Sequence, residues 1–385
     1  MELYIHVPFC RQKCEYCDFV SYAGMQGEMK SYVETLLLEA EQQLKLVTEP
    51  IETVYIGGGT PSLLPASLLD ELIRGIYRIF PIRGDAEFTS ECNPGTLTRE
   101  WLETARSLGI NRLSIGMQAY QPSLLRLLGR IHRFEEVEEA VLAARKAGFR
   151  NVSLDLIFGI PDQTEADWAE TLRHALSLSV EHISAYGLIP EEGTPLTAKL
   201  CSGQLSLPDS DTERSMYEML KSAMTESGYE QYEISNFARP GFSCRHNIGY
   251  WSQVPYLGLG ISAASMLNKR KAGCGICYTR FRNPVTFEEY RRLVLGQESG
   301  LREQEEISPQ EARFETMMLG LRMNRGIDAS TFLHLHGKTI EDCYEKKLSS
   351  FLEKGLMMKK DGRWFLTPRG MDIQNAILVE LMEDN

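Results

Sequence analysis

Short apolar runs alternate with longer amphipathic segments along the first part of the chain. The apolar runs are rich in β-branched and aromatic residues and predict six strands: Leu3–Val7, Thr53–Ile56, Glu87–Ser90, Arg112–Gly116, Asn151–Phe158 and His182–Leu188. Helical spacing follows each run, at Glu28–Val47, Pro65–Phe80, Thr98–Leu108, Phe134–Ala147, Ala166–Leu178 and Asp209–Ser227. This alternation is typical of an α/β fold with parallel strands and crossover helices. Six such units predict a partial (β/α)6 barrel of the TIM type, with its chemistry at the C-terminal strand ends.

The pattern changes from about Ser308 onward. Helical spacing over Glu311–Leu319, Asp328–His334 and Ile340–Lys354 precedes a short predicted hairpin and a last helix. Helices followed by a hairpin resemble a small winged-helix unit. We therefore expect three regions: a barrel over residues 1–230, an extension of it over 231–306, and a helical, winged-helix-like domain over 307–385.

Composition and charge narrow the class of protein. The 385 residues carry a formal charge of −12, which argues against a broad nucleic-acid surface. No apolar run reaches the roughly 20 residues that span a bilayer, so membrane contact would be peripheral. We expect no signal peptide, and cysteines without a secretory context predict the reducing cytoplasm.

Cys10, Cys14 and Cys17 form a CxxxCxxC motif directly after the first strand. Thiolates suit iron–sulfur clusters, and a 4Fe-4S cluster with three protein ligands keeps one iron free for another ligand. A zinc site usually has four protein ligands, and no second CxxC or histidine pair lies nearby. Disulfides are disfavoured without a secretory context, while chance spacing among nine cysteines stays an alternative.

Other polar or glycine-rich segments also fall at predicted strand ends. Gly57-Gly58-Gly59-Thr60-Pro61 would let a ligand approach bare backbone, although a tight turn is the simpler explanation of glycines alone. Glu91 follows the third strand, with a solvated loop carboxylate as its alternative role. Asp155 lies inside an apolar run, where a buried acid is costly without a partner, so we expect it to face the lumen and a ligand.

The cysteine motif resembles the signature of radical S-adenosylmethionine proteins. Nearly the whole chain resembles one branch of them, the oxygen-independent coproporphyrinogen III dehydrogenases and the related HemW heme chaperones. The shared segments include the HxPFC entry at His6, the glycine loop, Glu91-Cys92-Asn93-Pro94 and the strand of Asp155. The resemblance implies that S-adenosylmethionine contacts eight residues. Tyr4, Gly58 and Glu91 match contacts of a first molecule. The positions that hold a second molecule in the dehydrogenase match Gly59, Thr60, Gln118, Arg130 and Asp155.

Three differences from the dehydrogenase favour the chaperone branch. The dehydrogenase has a further cysteine two residues after the cluster motif, where this chain has Phe19. It also has a long N-terminal arm, which we do not expect here because the sequence begins shortly before His6. The third difference is the segment from His246 to Trp251, which matches the HNxxYW motif of the HemW chaperones.

The resemblance implies heme contact at this motif. His246 would be an axial iron ligand, Tyr250 and Trp251 would offer flat aromatic faces, and Arg245 could pair with a propionate. Alternatives are a satisfied structural histidine or Cys244 as a thiolate ligand. One departure lies just beyond: HemW chaperones have GLGAGAHS where this chain reads GLGISAAS, so Ala264 stands at the histidine position.

The expected function is therefore that of a heme chaperone with a 4Fe-4S cluster, S-adenosylmethionine and heme, without coproporphyrinogen dehydrogenase activity. Expected partners are heme and acceptor hemoproteins such as respiratory enzymes, and no nucleic acid. A peripheral membrane contact and a homodimer stay open. The dehydrogenase reaction is the alternative function. The Cys274–Cys277 pair is interpreted as two loop thiols, and the basic residues around it as a solvated face, a propionate site or an anionic-lipid site.

Overall fold

A computed structural model describes residues 1–271 and 275–382. Six parallel strands form its centre: β1 (Glu2–Val7), β2 (Ile51–Gly58), β3 (Ile82–Cys92), β4 (Arg112–Gln118), β5 (Val152–Phe158) and β6 (His182–Gly187). They pair in chain order, each parallel to the next. The six predicted strands and the partial barrel are thus confirmed.

Helices connect these strands on the outside of the barrel. They are α1 (Met29–Gln43), α2 (Ala66–Ile79), α3 (Arg99–Ser107), α4 (Pro122–Leu127), α5 (Phe134–Lys146), α6 (Glu165–Ser177), α7 (Pro195–Cys201) and α8 (Ser210–Glu226). Thr98 and Thr164 begin α3 and α6 by accepting hydrogen bonds from backbone N–H groups of the first turn. Because these caps are local, the predicted boundaries lie close to the observed ones.

Further strands widen the sheet on both sides. β7 (Glu230–Glu233) and β8 (Asn236–Ala238) continue it beyond β6, while β9 (Tyr256–Leu259), β10 (Ala264–Lys271), β11 (Gly275–Arg282) and β12 (Glu303–Ile307) continue it beyond β1. The order is β12-β11-β10-β9-β1-β2-β3-β4-β5-β6-β8-β7 over the described residues. β9 pairs parallel with β1, and β10 to β12 form an antiparallel meander. Helices α9 (Arg245–Trp251) and α10 (Phe287–Val294) flank this extension.

The C-terminal unit has its own hydrophobic core, which includes Phe332, Phe351 and Trp364. Its helices are α11 (Pro309–Gly320), α12 (Ala329–His336), α13 (Ile340–Glu353), α14 (Pro368–Asp372) and α15 (Gln374–Met382). A small antiparallel sheet joins β13 (Ile327–Asp328), β14 (Met357–Lys360) and β15 (Arg363–Leu366), with β15 central. This arrangement of helices and hairpin confirms the winged-helix-like prediction. Across the described residues, no helix is both long and apolar enough to cross a bilayer.

One buried carboxylate joins the extension to the first helix of the barrel. Glu39 in α1 is 1% exposed and accepts hydrogen bonds from the backbone N–H of Gly260, the Tyr290 hydroxyl at 2.7 Å and the Asn283 amide. The Arg302 guanidinium lies 3.2 Å from the same carboxylate. Burial raises the pKa of Glu39, and the four donors offset that cost. Glu39 therefore fixes the extension against the barrel.

Replacing this carboxylate should destabilise the protein strongly. Glu39→Ala leaves the Gly260 N–H, the Asn283 amide and the Arg302 guanidinium without their buried acceptor, at an expected cost of about 3–5 kcal/mol. Urea unfolding followed by circular dichroism measures the change. The matched control is Glu41→Ala, an exposed site in the same helix, which should shift stability by less than about 0.5 kcal/mol. Equal effects of the two substitutions would contradict this role of Glu39.

Candidate functional site

The loop that carries the three cysteines leaves β1 at the C-terminal end of the barrel and is tied down on several sides. His6 donates from Nε2 to the carbonyl of Val20, at 2.8 Å, which closes the loop between its entry and its exit. The N–H of Glu15 donates to the carbonyl of Leu128, and the Glu15 carbonyl accepts from Leu196. The barrel thus holds the loop through these hydrogen bonds.

The environment of the thiols suits a cluster better than a single ion. The Thr60 hydroxyl lies 3.7 Å from the Cys10 sulfur, and Arg130 Nη1 lies 3.7 Å from the Cys14 sulfur. Burial raises the pKa of the Cys10 thiol, and raises that of Cys17 to about 11, so bound metal must hold both as thiolates. Within residues 1–271 and 275–382, no three cysteine, histidine or carboxylate side chains converge on one ion position. A single zinc ion usually takes four protein ligands, whereas three thiolates of one loop fit a 4Fe-4S cluster in which each ligates a different iron.

The glycine loop after β2 packs directly against the cysteine loop. Gly58 has φ +107°, and a Cβ on it would lie 2.4 Å from Cε1 of His6. A Cβ on Gly59 would lie 2.7 Å from the Phe9 carbonyl oxygen. The N–H groups of Gly59 and Thr60 donate to the carbonyls of Val7 and Phe9. Side chains are excluded here because two backbone segments touch, which a tight turn alone would not require.

Glu91 lies at the barrel mouth and is held from two sides. The Tyr55 hydroxyl donates to Oε1 and the Gly58 N–H donates to Oε2, both at 3.0 Å. Burial, followed by repulsion from Asp155, raises the pKa of Glu91 to about 7. Sequence reasoning missed Tyr55. The sequence could have indicated it, because β-strand alternation places Tyr55 on the same face of the sheet as Thr53 and Gly57. In the structure, Tyr55 pairs in register with Tyr4.

The remaining predicted mouth residues come together on β4 and β5. Arg130 Nη2 donates to the carbonyl of Gly116 at 2.8 Å, so one guanidinium joins this strand to the Cys14 sulfur. Gln118 has φ +64° at the end of β4, and its amide lies beside Gly116. Asp155 pairs in register with Gly116 and accepts from the Ser114 hydroxyl at 3.0 Å.

The HNxxYW segment lies at the other end of the barrel. Glu2, Thr53 and Glu87 pair in register at the level where β1 begins, and His246 in α9 contacts Thr53 and Glu87. His246 is 1% exposed, with Nδ1 2.7 Å from the Thr53 hydroxyl and Nε2 3.0 Å from the Tyr250 hydroxyl. Both ring nitrogens therefore already have partners. Axial heme ligation by His246 stays a prediction, and it would require the Tyr250 hydroxyl to leave Nε2.

The other residues of the motif also have structural partners. Arg245 donates to the carbonyl of Asp85 at 2.8 Å, and the Tyr250 hydroxyl is the partner of His246. The guanidinium of Arg322, in the turn after α11, lies 4.5 Å from the centre of the Trp251 ring. Cys244 is fully buried with its sulfur 3.5 Å from Glu87, and burial raises the pKa of its thiol to about 12. The motif thus closes the floor of the barrel and contacts the C-terminal unit.

Two other expectations concern the extension. Ala264 begins β10, where its carbonyl lies so close to Gly258 that a Cβ there would be 2.1 Å away, so this corner is a backbone contact. Cys274 lies outside the described residues, while Cys277 is buried in β11.

Phe19, at the position of the dehydrogenase's extra cysteine, is 61% exposed.

Comparison with known proteins agrees with this architecture. The Radical SAM superfamily model matches residues 4–175 and the HemN C-terminal domain model matches residues 307–373. The heme chaperone HemW of Synechocystis is 40% identical over 84% of this chain and 78% of its own length. HemW of Bacillus subtilis is 35% identical over 97% of both chains. The chain belongs to the HemW family.

HemW of Escherichia coli is 33% identical over 98% of this chain and 97% of its own. Among solved structures, coproporphyrinogen III oxidase HemN of Escherichia coli superposes with a TM-score of 0.83, covering 99% of this chain and 89% of that one. Its sequence identity is 22%, so this likeness establishes the shared fold. This chain and HemN thus share one fold.

The three cysteines should be individually necessary for iron binding. Replacing Cys10, Cys14 or Cys17 with Ala should abolish the brown absorbance and most of the iron of anaerobically reconstituted protein, because three thiolates are the fewest that retain a 4Fe-4S cluster with one open iron. Cys201→Ala is the matched control, an exposed cysteine in α7 that should leave iron content unchanged. Full iron content in any of the three loop variants would refute the assignment.

Proposed function

We propose that Cys10, Cys14 and Cys17 hold a 4Fe-4S cluster whose open iron binds S-adenosylmethionine. Membership of the HemW family and the Radical SAM match support this, as do the free thiols of the loop. When bound, the cluster and ligand together supply one-electron chemistry. The chain's own contribution is to hold the thiols beside the Arg130 charge and to exclude side chains from the glycine loop.

We further propose that Tyr4, Gly58, Gly59, Thr60, Glu91, Gln118, Arg130 and Asp155 bind the S-adenosylmethionine, with one or two molecules in the mouth. These residues surround the cysteine loop at one end of the barrel. The Glu91 and Asp155 carboxylates are suited to ribose hydroxyls and to a cationic sulfonium or ammonium group. Arg130, next to the Cys14 sulfur, is suited to a carboxylate.

The function that this family membership supports best is that of a heme chaperone, which binds heme and delivers it to acceptor hemoproteins in the cytoplasm. The observation that carries the proposal is identity of 35% over 97% of both chains to a relative named as a heme chaperone. The buried partners of His246 give no support to the HNxxYW motif as the heme site.

A second function, oxidative decarboxylation of coproporphyrinogen III, is favoured by the intact set of polar residues around the mouth. Phe19 in place of the dehydrogenase's cysteine argues against it. In an anaerobic assay of the cluster-loaded protein with coproporphyrinogen III, S-adenosylmethionine and a reductant, we expect no protoporphyrinogen, together with one heme bound per chain in a titration. Protoporphyrinogen formed over many turnovers, or no saturable heme binding, would overturn the chaperone proposal.

S-adenosylmethionine affinity should depend on pH through Glu91. Because burial raises its pKa to about 7, the carboxylate that accepts ribose hydroxyls is present above pH 7 and is lost as the pH falls below it. Below that pKa, affinity should fall by up to about tenfold per pH unit. Calorimetric titration between pH 8 and 6 measures this, and Glu91→Gln should bind weakly with a flat profile. A wild-type profile that stays flat would contradict the assigned role.

Replacing His246 distinguishes a structural role from iron ligation. His246→Ala removes the acceptor of Tyr250 and the partner of Thr53 in the barrel floor, so we expect a loss of stability of about 2–4 kcal/mol. The Soret band of bound heme should keep its position. His182→Ala is the matched control, since His182 also bridges two buried hydroxyls, those of Ser153 and Tyr232. A Soret shift in the His246 variant alone would restore the iron-ligand interpretation.

A further inference from the structure

A column of aromatic rings runs through the lumen from the mouth to the floor. Tyr4 stacks on Tyr55 with ring centroids 6.3 Å apart, and Tyr55 stacks on His246 at 5.1 Å. His246 then meets Tyr250 edge to face at 4.6 Å, and Tyr250 meets Tyr256 at 4.8 Å. The column therefore starts beside the cysteine loop and ends at a partly exposed tyrosine of β9. Its spacing is that of aromatic rings in direct contact.

Each of the first three tyrosines donates its hydroxyl to a base. Because Nε2 of His6 donates to a carbonyl, Nδ1 must be the acceptor of the Tyr4 hydroxyl, at 3.0 Å. The Tyr55 hydroxyl donates to Glu91 at 3.0 Å, and the Tyr250 hydroxyl lies 3.0 Å from Nε2 of His246.

The proton positions in the floor are consistent with this. Thr53 donates to Oε1 of Glu2, so its oxygen accepts from Nδ1 of His246, which leaves Nε2 as the acceptor for Tyr250. Other tyrosines of the chain differ. The hydroxyls of Tyr32, Tyr217 and Tyr229 donate to the backbone carbonyls of His6, Ile234 and Val180, which are poor proton acceptors.

A phenol next to a base is what reversible tyrosine oxidation requires. Loss of an electron makes a phenol strongly acidic, and a base within hydrogen-bond distance accepts the proton without movement of the ring. Burial raises the pKa of Tyr4, Tyr55 and Tyr250 and lowers the pKa of His6 and His246, so at rest the phenols are protonated and the imidazoles neutral. The resting pairs are thus ready to transfer one proton with one electron.

We propose that Tyr4, Tyr55 and Tyr250 form a redox relay that carries an oxidising equivalent from the barrel mouth to the floor. The oxidant is an oxygen-centred radical, such as the hydroxyl radical formed where ferrous iron meets peroxide. It takes one electron and one proton from Tyr4 and becomes water. The relay thereby protects the thiols and ligand groups of the mouth from irreversible oxidation.

The later steps balance in the same way. Tyr55 gives one electron to the Tyr4 phenoxyl radical and one proton to Glu91, while Tyr4 regains a proton from water at the mouth, to which Glu91 releases its own. Tyr250 then gives one electron to the Tyr55 phenoxyl radical and one proton to His246, whose ring lies between the two phenols, while Tyr55 regains a proton from water at the mouth. At the floor, Tyr256 gives one electron to the Tyr250 phenoxyl radical and one proton to water, and Tyr250 takes its own proton back from His246. A thiol in solution gives a hydrogen atom to the Tyr256 phenoxyl radical. Two thiyl radicals then combine into a disulfide.

The relay rests on the cluster site proposed above only as the source of iron at the mouth, and it is independent of heme transport.

The experiment mixes anaerobic, cluster-loaded protein with hydrogen peroxide, freezes it within milliseconds and records the electron paramagnetic resonance spectrum. Parallel samples are digested and their oxidised residues mapped by mass spectrometry. We expect a tyrosyl radical signal that narrows with ring-deuterated tyrosine, and oxidation products at Tyr256.

Tyr55→Phe keeps the stacked ring but removes the phenol and the proton transfer to Glu91. It should retain a radical on Tyr4, reduce Tyr256 oxidation severalfold, and increase oxidation of the cysteine loop. Tyr250→Phe should retain a radical on Tyr55 while losing Tyr256 oxidation, and it keeps the test valid if the first variant folds poorly. Tyr229→Phe, a buried tyrosine outside the column, is the control and should match the wild type.

Two results would overturn the proposal. One is a wild-type protein that keeps its iron and gives no tyrosyl signal. The other is Tyr256 oxidation in Tyr55→Phe equal to that of the wild type, which would mean that the oxidant reaches the floor directly. Failure of iron to bind in the wild type would instead refute the proposed cluster, so the two failures are distinguishable.

Discussion

The site depends on the close approach of two backbone segments at the barrel mouth. Gly58 and Gly59 lie against the loop that carries the cysteines, where any side chain would collide with His6 or with the Phe9 carbonyl. The parallel register of β1 and β2 sets this distance, since His6 pairs with Gly57 and Val7 with Gly58. The thiols, the glycine backbone and Glu91 therefore lie close together, because β1 and β2 end at the same edge of the sheet.

The two ends of the barrel differ in the hydrogen bonds that their buried polar side chains make. At the mouth, Glu91 and Asp155 lie near each other, and burial raises the pKa of both carboxyl groups. At the floor, Glu2, Thr53 and His246 form a hydrogen-bonded chain, and burial raises the pKa of Glu2 to about 9. The mouth is thus suited to a cationic ligand, while the floor is closed by its own side chains.

Most of the fold could be predicted from the sequence because its signals are local. Apolar alternation gave the six parallel strands, and caps such as Thr98 and Thr164 gave the helix boundaries. The strands β9 to β12 were missed, because their pairing brings residues 256–307 back beside β1 at the N-terminus, and no local pattern reports such a long-range contact.

The mouth residues were predicted through strand ends and family resemblance, and the structure brings them to one end of the barrel. Tyr55 was missed because an aromatic residue in a strand is usually a packing residue, and only its hydrogen bond to Glu91 marks it. The sequence does not show which end of the barrel the HNxxYW motif occupies. Its helix follows β8 and folds under the N-terminal strand ends, so both ring nitrogens of His246 are used internally.

The central claim is that three thiolates leave one iron open to a small ligand. The most direct measurement is electron paramagnetic resonance of the dithionite-reduced, reconstituted protein with and without S-adenosylmethionine, alongside iron and sulfide analysis. The account predicts about four iron and four sulfide per chain and a signal whose g-values shift when the ligand is added. A signal unchanged by saturating S-adenosylmethionine, or a single metal ion per chain, would contradict it.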